Sequence, residues 1–177
     1  LDKANADAKA AQAALDKGMA TVASSCDRLI KKEAMTEAQK KELLAKISAS
    51  TQVGDFKDCD FVVEAIAENI DLKLKVFKEL DQICPAKAIL CSNTSSISIT
   101  KIAAATKRPD KVAGMHFMNP VPLMKLVELV RGIATVDKTF EMSQTFVQSL
   151  DKTVTVAEDF PAFIVNRILL PMINEAV

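Results

Sequence analysis

Short, almost wholly apolar runs alternate along this chain with longer stretches whose apolar residues recur every three or four positions. That switching of period restricts the fold more than any other feature. Asp60-Phe61-Val62-Val63-Glu64-Ala65-Ile66, Ala88 to Cys91, Val112 to His116, Leu126 to Val130 and Thr153 to Ala157 read as strands. Asp71 to Ile83, Ile99 to Ala105 and Lys138 to Leu150 read as helices between them. Strands this apolar need cover on both faces, and a helix between successive strands supplies the crossover of parallel pairing. The expected fold is α/β, a doubly wound, mainly parallel sheet.

The ends of the chain break this rhythm. From about Ala4 to Lys32 an alanine-rich stretch carries Leu15, Met19, Val22, Cys26, Leu29 and Ile30 at helical spacing, and Thr36 with Gln39 makes a capping box that opens a second helix to about Ile47. After Asp159-Phe160-Pro161 an apolar helical run fills residues 162–177 without a closing cap. The expected organisation is therefore a sheet domain over residues 1–160 and, over 161–177, the first helix of a helical domain. The amino terminus has neither an initiator methionine nor a secretory pattern, so Leu1 reads as an interior position of a longer chain.

Composition narrows the function classes. Lys and Arg number 23 and Asp and Glu 23 in 177 residues, so no chain-wide basic footprint for nucleic acid or an anionic membrane exists, and phosphate binding must be local. No apolar run approaches the roughly 18 residues of a membrane span. Cys26, Cys59, Cys84 and Cys91 lie far apart with no C-x-x-C pair, which argues against a metal site and for reduced, mostly buried thiols in the cytoplasm or an organelle matrix.

The chemistry converges on one residue. His116, the sole histidine, stands in Met115-His116-Phe117-Met118-Asn119-Pro120, twelve positions before Glu128. A lone histidine in an apolar setting is more often structural than catalytic, but an imidazole at a strand end with a carboxylate on the next apolar run is a candidate proton-transfer pair. The polar run Ser92-Asn93-Thr94-Ser95-Ser96 follows another strand directly, and open α/β sheets bind ligands beyond the carboxyl ends of their strands. By itself Glu128 reads as a solvated strand-end charge, Lys73 as a solvated helix-face lysine, and Ser95, Asn119 and Asn166 as turn or cap residues.

Taken together, Ser92-Asn93-Thr94-Ser95-Ser96, Lys107-Arg108-Pro109-Asp110-Lys111-Val112, Gly114 to Pro122, Met124-Lys125-Leu126-Val127-Glu128 and Phe163-Ile164-Val165-Asn166-Arg167 resemble the L-3-hydroxyacyl-CoA dehydrogenase family in order and spacing. The resemblance covers nearly the whole chain. It implies a Rossmann-type NAD-binding domain, NAD as cofactor, an acyl-CoA substrate, and a homodimer formed through a C-terminal helical domain. The compartment it implies is an organelle matrix such as the mitochondrial one in a eukaryote, or the cytoplasm of a bacterium. Gly18, Gly54, Gly114 and Gly132 make no G-x-G-x-x-G, so the first strand and pyrophosphate turn of such a domain are expected outside these residues, which alone would be inactive.

Carried over by residue, the resemblance makes His116 the general base, held by Glu128. Ser95 hydrogen-bonds the reacting oxygen, and Asn166 polarises the carbonyl that develops. Asn119 contacts the nicotinamide side, Glu68 and Lys73 occupy positions near the ribose and nicotinamide, and Ser25 and Lys32 match CoA contacts. Asp2 would hold the adenosine ribose, a placement that requires about seven inserted residues, two helical turns, before Ala13. Pro161-Ala162-Phe163 stands where the family usually has Pro-Gly-Phe, and alanine there calls for a backbone with negative φ. Two alternatives remain beside the NAD-dependent oxidation of 3-hydroxyacyl-CoA: a non-catalytic nucleotide- or CoA-binding module, and a dehydrogenase of other hydroxy acids.

Overall fold

The β-branched runs form a five-stranded sheet in the order β1-β2-β3-β4-β5, from β1 (Phe61–Glu64), β2 (Ile89–Ser92), β3 (Val112–Phe117), β4 (Leu126–Arg131) and β5 (Thr153–Glu158). This computed structural model describes the backbone of residues 2–177 and the side chains of residues 8–177. The helices are α1 (Asp2–Lys31), α2 (Glu37–Ala45), α3 (Ile70–Ile83), α4 (Ile99–Ala103), α5 (Asp137–Ser149) and α6 (Val165–Glu175). A 3₁₀ turn over Val53–Asp58 has no counterpart in the sequence reading.

The chain divides into two units, Leu1–Asp55 and Phe56–Val177. In the first, Thr36 accepts the Gln39 amide while the Gln39 side chain accepts the Thr36 amide, the expected capping box of α2. Within that unit Lys40 forms an ion pair with Asp27 of α1, which raises the lysine's affinity for its proton.

The second unit holds the sheet. β1 with β2, β2 with β3 and β4 with β5 pair in parallel, and β3 with β4 antiparallel. The exception has a simple cause: the segment between β3 and β4 is too short for a crossover helix, so the chain can only reverse. Alternation along each strand divides the side chains between two faces. On one, Ile89, Cys91, Ala113, Met115, Val127 and Leu129 pack with Phe140 and Val147 of α5. On the other, α4 settles against Gly114, where a Cβ would stand 2.7 Å from that of Val130 and 2.8 Å from Ile99 Cδ1, so glycine is what admits the helix. Asp159, just past β5, accepts from the Ile99 and Thr100 amides and the Ser98 hydroxyl and so ties α4 down. Arg108 reaches Asp81 at 2.7 Å and the carbonyls of Asp81, Cys84 and Pro85, which closes the carboxyl end of α3 and gives the Lys107-Arg108-Pro109 motif a structural task.

Cys26, Cys84 and Cys91 are buried free thiols, as read, and burial pushes Cys91 up to about 12. No helix among the described residues is long and apolar enough to cross a membrane.

Candidate active site

The antiparallel reversal sets His116 of β3 directly opposite Glu128 of β4. Directly opposed residues hold their Cβ atoms about 5 Å apart on one face, within reach of a hydrogen bond between an imidazole and a carboxylate. The bond is there, His116 Nδ1 to Glu128 Oε2 at 2.7 Å. Glu128 is wholly buried, which removes the solvated strand-end reading, and His116 is 7% exposed. The other carboxylate oxygen accepts the amides of Ile164 at 2.9 Å and Val165 at 2.7 Å, where α6 begins. With Nδ1–H donated to Glu128, the Nε2 lone pair of the imidazole is left to accept a proton.

Beside this pair lies the loop after β2. Asn93 accepts the Phe117 amide at 2.8 Å and so locks the carboxyl end of β2 to that of β3. Glu68 accepts from the amides of Ser95 (3.0 Å) and Ser96 (3.3 Å) and from the Thr94 hydroxyl. Burial alone would raise the pKa of its carboxyl, but the Thr94 hydroxyl, the Ser95 amide and the Lys73 ammonium together hold it below the ordinary carboxylate value. Asn166 donates Nδ2–H to the Ser95 carbonyl at 3.0 Å, so the strand-end loop and α6 meet at these two residues.

Lys73 departs from its solvated reading. Its side chain is wholly buried on α3, with Nζ at 2.7 and 3.0 Å from the two oxygens of Glu64 and 3.5 Å from Glu68. Glu64 also accepts from the Ser92 hydroxyl at 2.7 Å and the Ile66 amide at 2.6 Å. Sequence reasoning passed over Glu64, although a lone carboxylate inside an apolar strand signals a buried partner. Asn119 lies exposed past β3.

The requirement for negative φ at Ala162 is overturned. Ala162 has φ 67° and Phe163 φ 49°, both in the left-handed region, followed by Ile164 at φ −97° and ψ −55°. A left-handed residue followed by a right-handed one turns successive amides inward into an anion-binding concavity, and here the anion is Glu128. The alanine is therefore strained rather than relaxed.

Ser25 and Lys32 belong to the first unit. The Ser25 hydroxyl donates to the Thr21 carbonyl and accepts from Arg28, while Lys32 is exposed just beyond α1. Asp2 opens α1, and its side chain lies outside the described residues.

Residues 6–160 match the family described as 3-hydroxyacyl-CoA dehydrogenase, NAD binding domain. The chain belongs to this family. Among curated relatives, a 3-hydroxybutyryl-CoA dehydrogenase of Bradyrhizobium diazoefficiens is 55% identical over 163 residues, 92% of this chain and 56% of the relative. One of Clostridioides difficile is 47% identical over 94% of this chain and 59% of its own length. The crystal structure of (S)-3-hydroxybutyryl-CoA dehydrogenase PaaH1 from Ralstonia eutropha superimposes with a TM-score of 0.91 at 55% identity, covering 93% of this chain and 58% of that one. The chain thus spans somewhat over half the length of the relatives it matches. Within the family's NAD-binding domain, the sheet is the Rossmann-type sheet expected from the alternation of strands and helices, with the antiparallel β3–β4 step as its local departure.

Proposed function

We propose that the parent protein oxidises L-3-hydroxyacyl-CoA to 3-oxoacyl-CoA with NAD and that this chain supplies the proton-transfer half of the site. The observation that carries the reading is the 2.7 Å bond from His116 to a wholly buried Glu128. Nε2 of His116 takes the proton of the substrate's 3-hydroxyl. Glu128 fixes the ring orientation and stabilises the positive charge that develops on it, the role a carboxylate plays behind a catalytic histidine in other enzymes. Ser95 hydrogen-bonds the reacting oxygen, and Asn166, which spends one N–H on the Ser95 carbonyl, has a second to offer the forming carbonyl.

The residues present fit the nicotinamide half of NAD. The segment after β1 leaves Ala65, Ile66 and Ala67 exposed beside Glu68, an apolar surface edged by a carboxylate, and exposed Asn119 adds an amide past β3. Glu68 and Asn119 would hold the cofactor, with Lys73 fixing Glu68 from behind. When bound, NAD accepts the hydride released from the substrate's third carbon, so that with the proton on His116 the carbonyl is complete. Asp2 would hold the adenosine ribose, and Ser25 and Lys32 would meet the CoA phosphates.

A homodimer fits the exposed Ile168, Leu169, Leu170, Met172 and Ile173 of α6, which would begin a helical domain at residues 161–177. The compartment would be an organelle matrix in a eukaryote or the cytoplasm of a bacterium. A non-catalytic binding module has no use for a histidine held by a buried carboxylate, and that reading is set aside.

In the full-length protein, His116→Gln is expected to leave the fold intact and to lower turnover of 3-hydroxybutyryl-CoA by about 10²–10⁴, the loss of a general base. Retention of more than about a tenth of the activity in a steady-state NADH assay would remove His116 from the mechanism.

A further inference from the structure

The two oxygens of Glu128 have separate partners, and only one of them is the histidine. Oε2 takes His116 Nδ1, while Oε1 takes the amides of Ile164 and Val165 at 2.9 and 2.7 Å. Val165 is the first residue of α6 and Asn166 the second. Little else in the described residues grips this helix: none of its residues is buried, and Ile168, Leu170 and Met172 are more than half exposed. Its attachments to the sheet are the Glu128 carboxylate, the Asn166–Ser95 bond and Phe163, buried with its ring 6.2 Å from that of His116. The left-handed pair Ala162 and Phe163 is what turns the two amides onto the carboxylate.

We infer that Glu128 positions Asn166 as well as His116, fixing the first turn of α6 so that the base and the carbonyl-polarising amide are set by one buried carboxylate. The inference rests on the proposed dehydrogenase reading for the task of Asn166, and on the geometry alone for its placement. Its consequence is energetic coupling between positions 128 and 166, thirty-eight residues apart, that bypasses His116. Substitutions of glutamate separate the two tasks. In Glu128→Gln the side-chain carbonyl still accepts the α6 amides, but the NH₂ now faces His116 and imposes the wrong tautomer. In Glu128→Ala both tasks are lost.

The test is a double-mutant cycle on kcat/KM for 3-hydroxybutyryl-CoA in the full-length enzyme, with Asn166→Ala introduced into wild type, Glu128→Gln and Glu128→Ala. The expected result is that Glu128→Gln lowers kcat/KM by about 10²–10⁴ through loss of the base, and that Asn166→Ala multiplies this by the factor it shows in wild type. In Glu128→Ala, Asn166→Ala is expected to add less than about twofold, because the amide is already displaced. An Asn166→Ala factor that is the same in Glu128→Ala as in wild type overturns the inference. Hydrogen exchange supplies a readout independent of activity. In Glu128→Ala the Ile164 and Val165 amides lose their acceptor and should exchange about fivefold faster or more, while those of Leu129 and Val130 do not change and Glu128→Gln stays near wild type. Unchanged exchange at Ile164 and Val165 in Glu128→Ala, or in Glu128→Val should the alanine variant fail to fold, overturns the inference. Absence of 3-hydroxyacyl-CoA oxidation in wild type would instead defeat the dehydrogenase reading, with the exchange experiment still deciding the tether.

Discussion

Replacing Ala162 by glycine should stabilise the protein, against the usual expectation for a new glycine. The alanine sits at φ 67°, where an L-residue with a Cβ gives up about 1–2 kcal/mol relative to the right-handed region. Glycine is free of that strain but makes the unfolded chain more flexible, which costs about 0.4–1 kcal/mol. The methyl group is only partly buried, so little packing is lost with it. The net gain is about 0.5–1 kcal/mol, or roughly 1–4 °C in the thermal midpoint of a domain this size. Phe163 supplies the control. Its φ of 49° carries similar strain, but its ring is 3% exposed, and deletion of a buried phenyl costs about 3–5 kcal/mol, so Phe163→Gly should be clearly destabilising. Guanidinium unfolding of wild type and the two variants, followed by circular dichroism, measures both. A midpoint for Ala162→Gly that is unchanged or lower would refute the view that the turn into α6 is held in a strained state by the amides it delivers to Glu128.

Two further outcomes concern the buried charges of the β1–α3 junction. Lys73→Met should cost about 3–5 kcal/mol in urea unfolding, because it strands the Glu64 carboxylate at 4% exposure, and the double variant with Glu64→Leu should recover most of that loss; no recovery would mean that the helix packing, not the ion pair, is at stake. Glu68 has a carboxyl held below its ordinary 4.5, so it contributes stability above that pH that is lost as pH falls through the folded value, and Glu68→Gln should flatten the stability profile below about pH 4.5. An identical acid limb in the two proteins would show that its bonds to the Ser95 loop do not persist in solution.

Legibility in the sequence followed the range of the interactions. The five strands and the helices between them were readable because period is a local property, and their observed bounds lie within two residues of the expected ones. The His116–Glu128 pair was a candidate because the chain has one histidine with a carboxylate on the next apolar run, but only the family resemblance set aside the solvated reading of Glu128, and the antiparallel register that puts the two opposite one another was not foreseen. The burial of Lys73 was not readable, since a lysine on a helix with exposed charged neighbours looks like any other, and what decides its fate is Glu64 nine residues earlier on β1. The left-handed Ala162 was misjudged for the same reason. Nothing near it asks for positive φ; the demand comes from a carboxylate on β4 whose second oxygen needs donors.

Glu64 and Glu128 make the division of labour explicit. Both are buried carboxylates on the face of the sheet opposite α5, and both have their oxygens filled. Glu64 is neutralised by a lysine that contacts both oxygens, with a hydroxyl and an amide completing its shell. A carboxylate paired in this way is a fixed brace, because its counter-charge is permanent. Glu128 is met by two neutral amides and an imidazole, and among the described residues it has no permanent cation. Amides satisfy lone pairs without cancelling a full charge, so in the proposed mechanism the field of Glu128 remains available at Nδ1 of His116 when the substrate's proton is taken up at the other side of the ring. A lysine in place of the amides at Glu128 would cancel the charge that the proposed mechanism needs behind the imidazole.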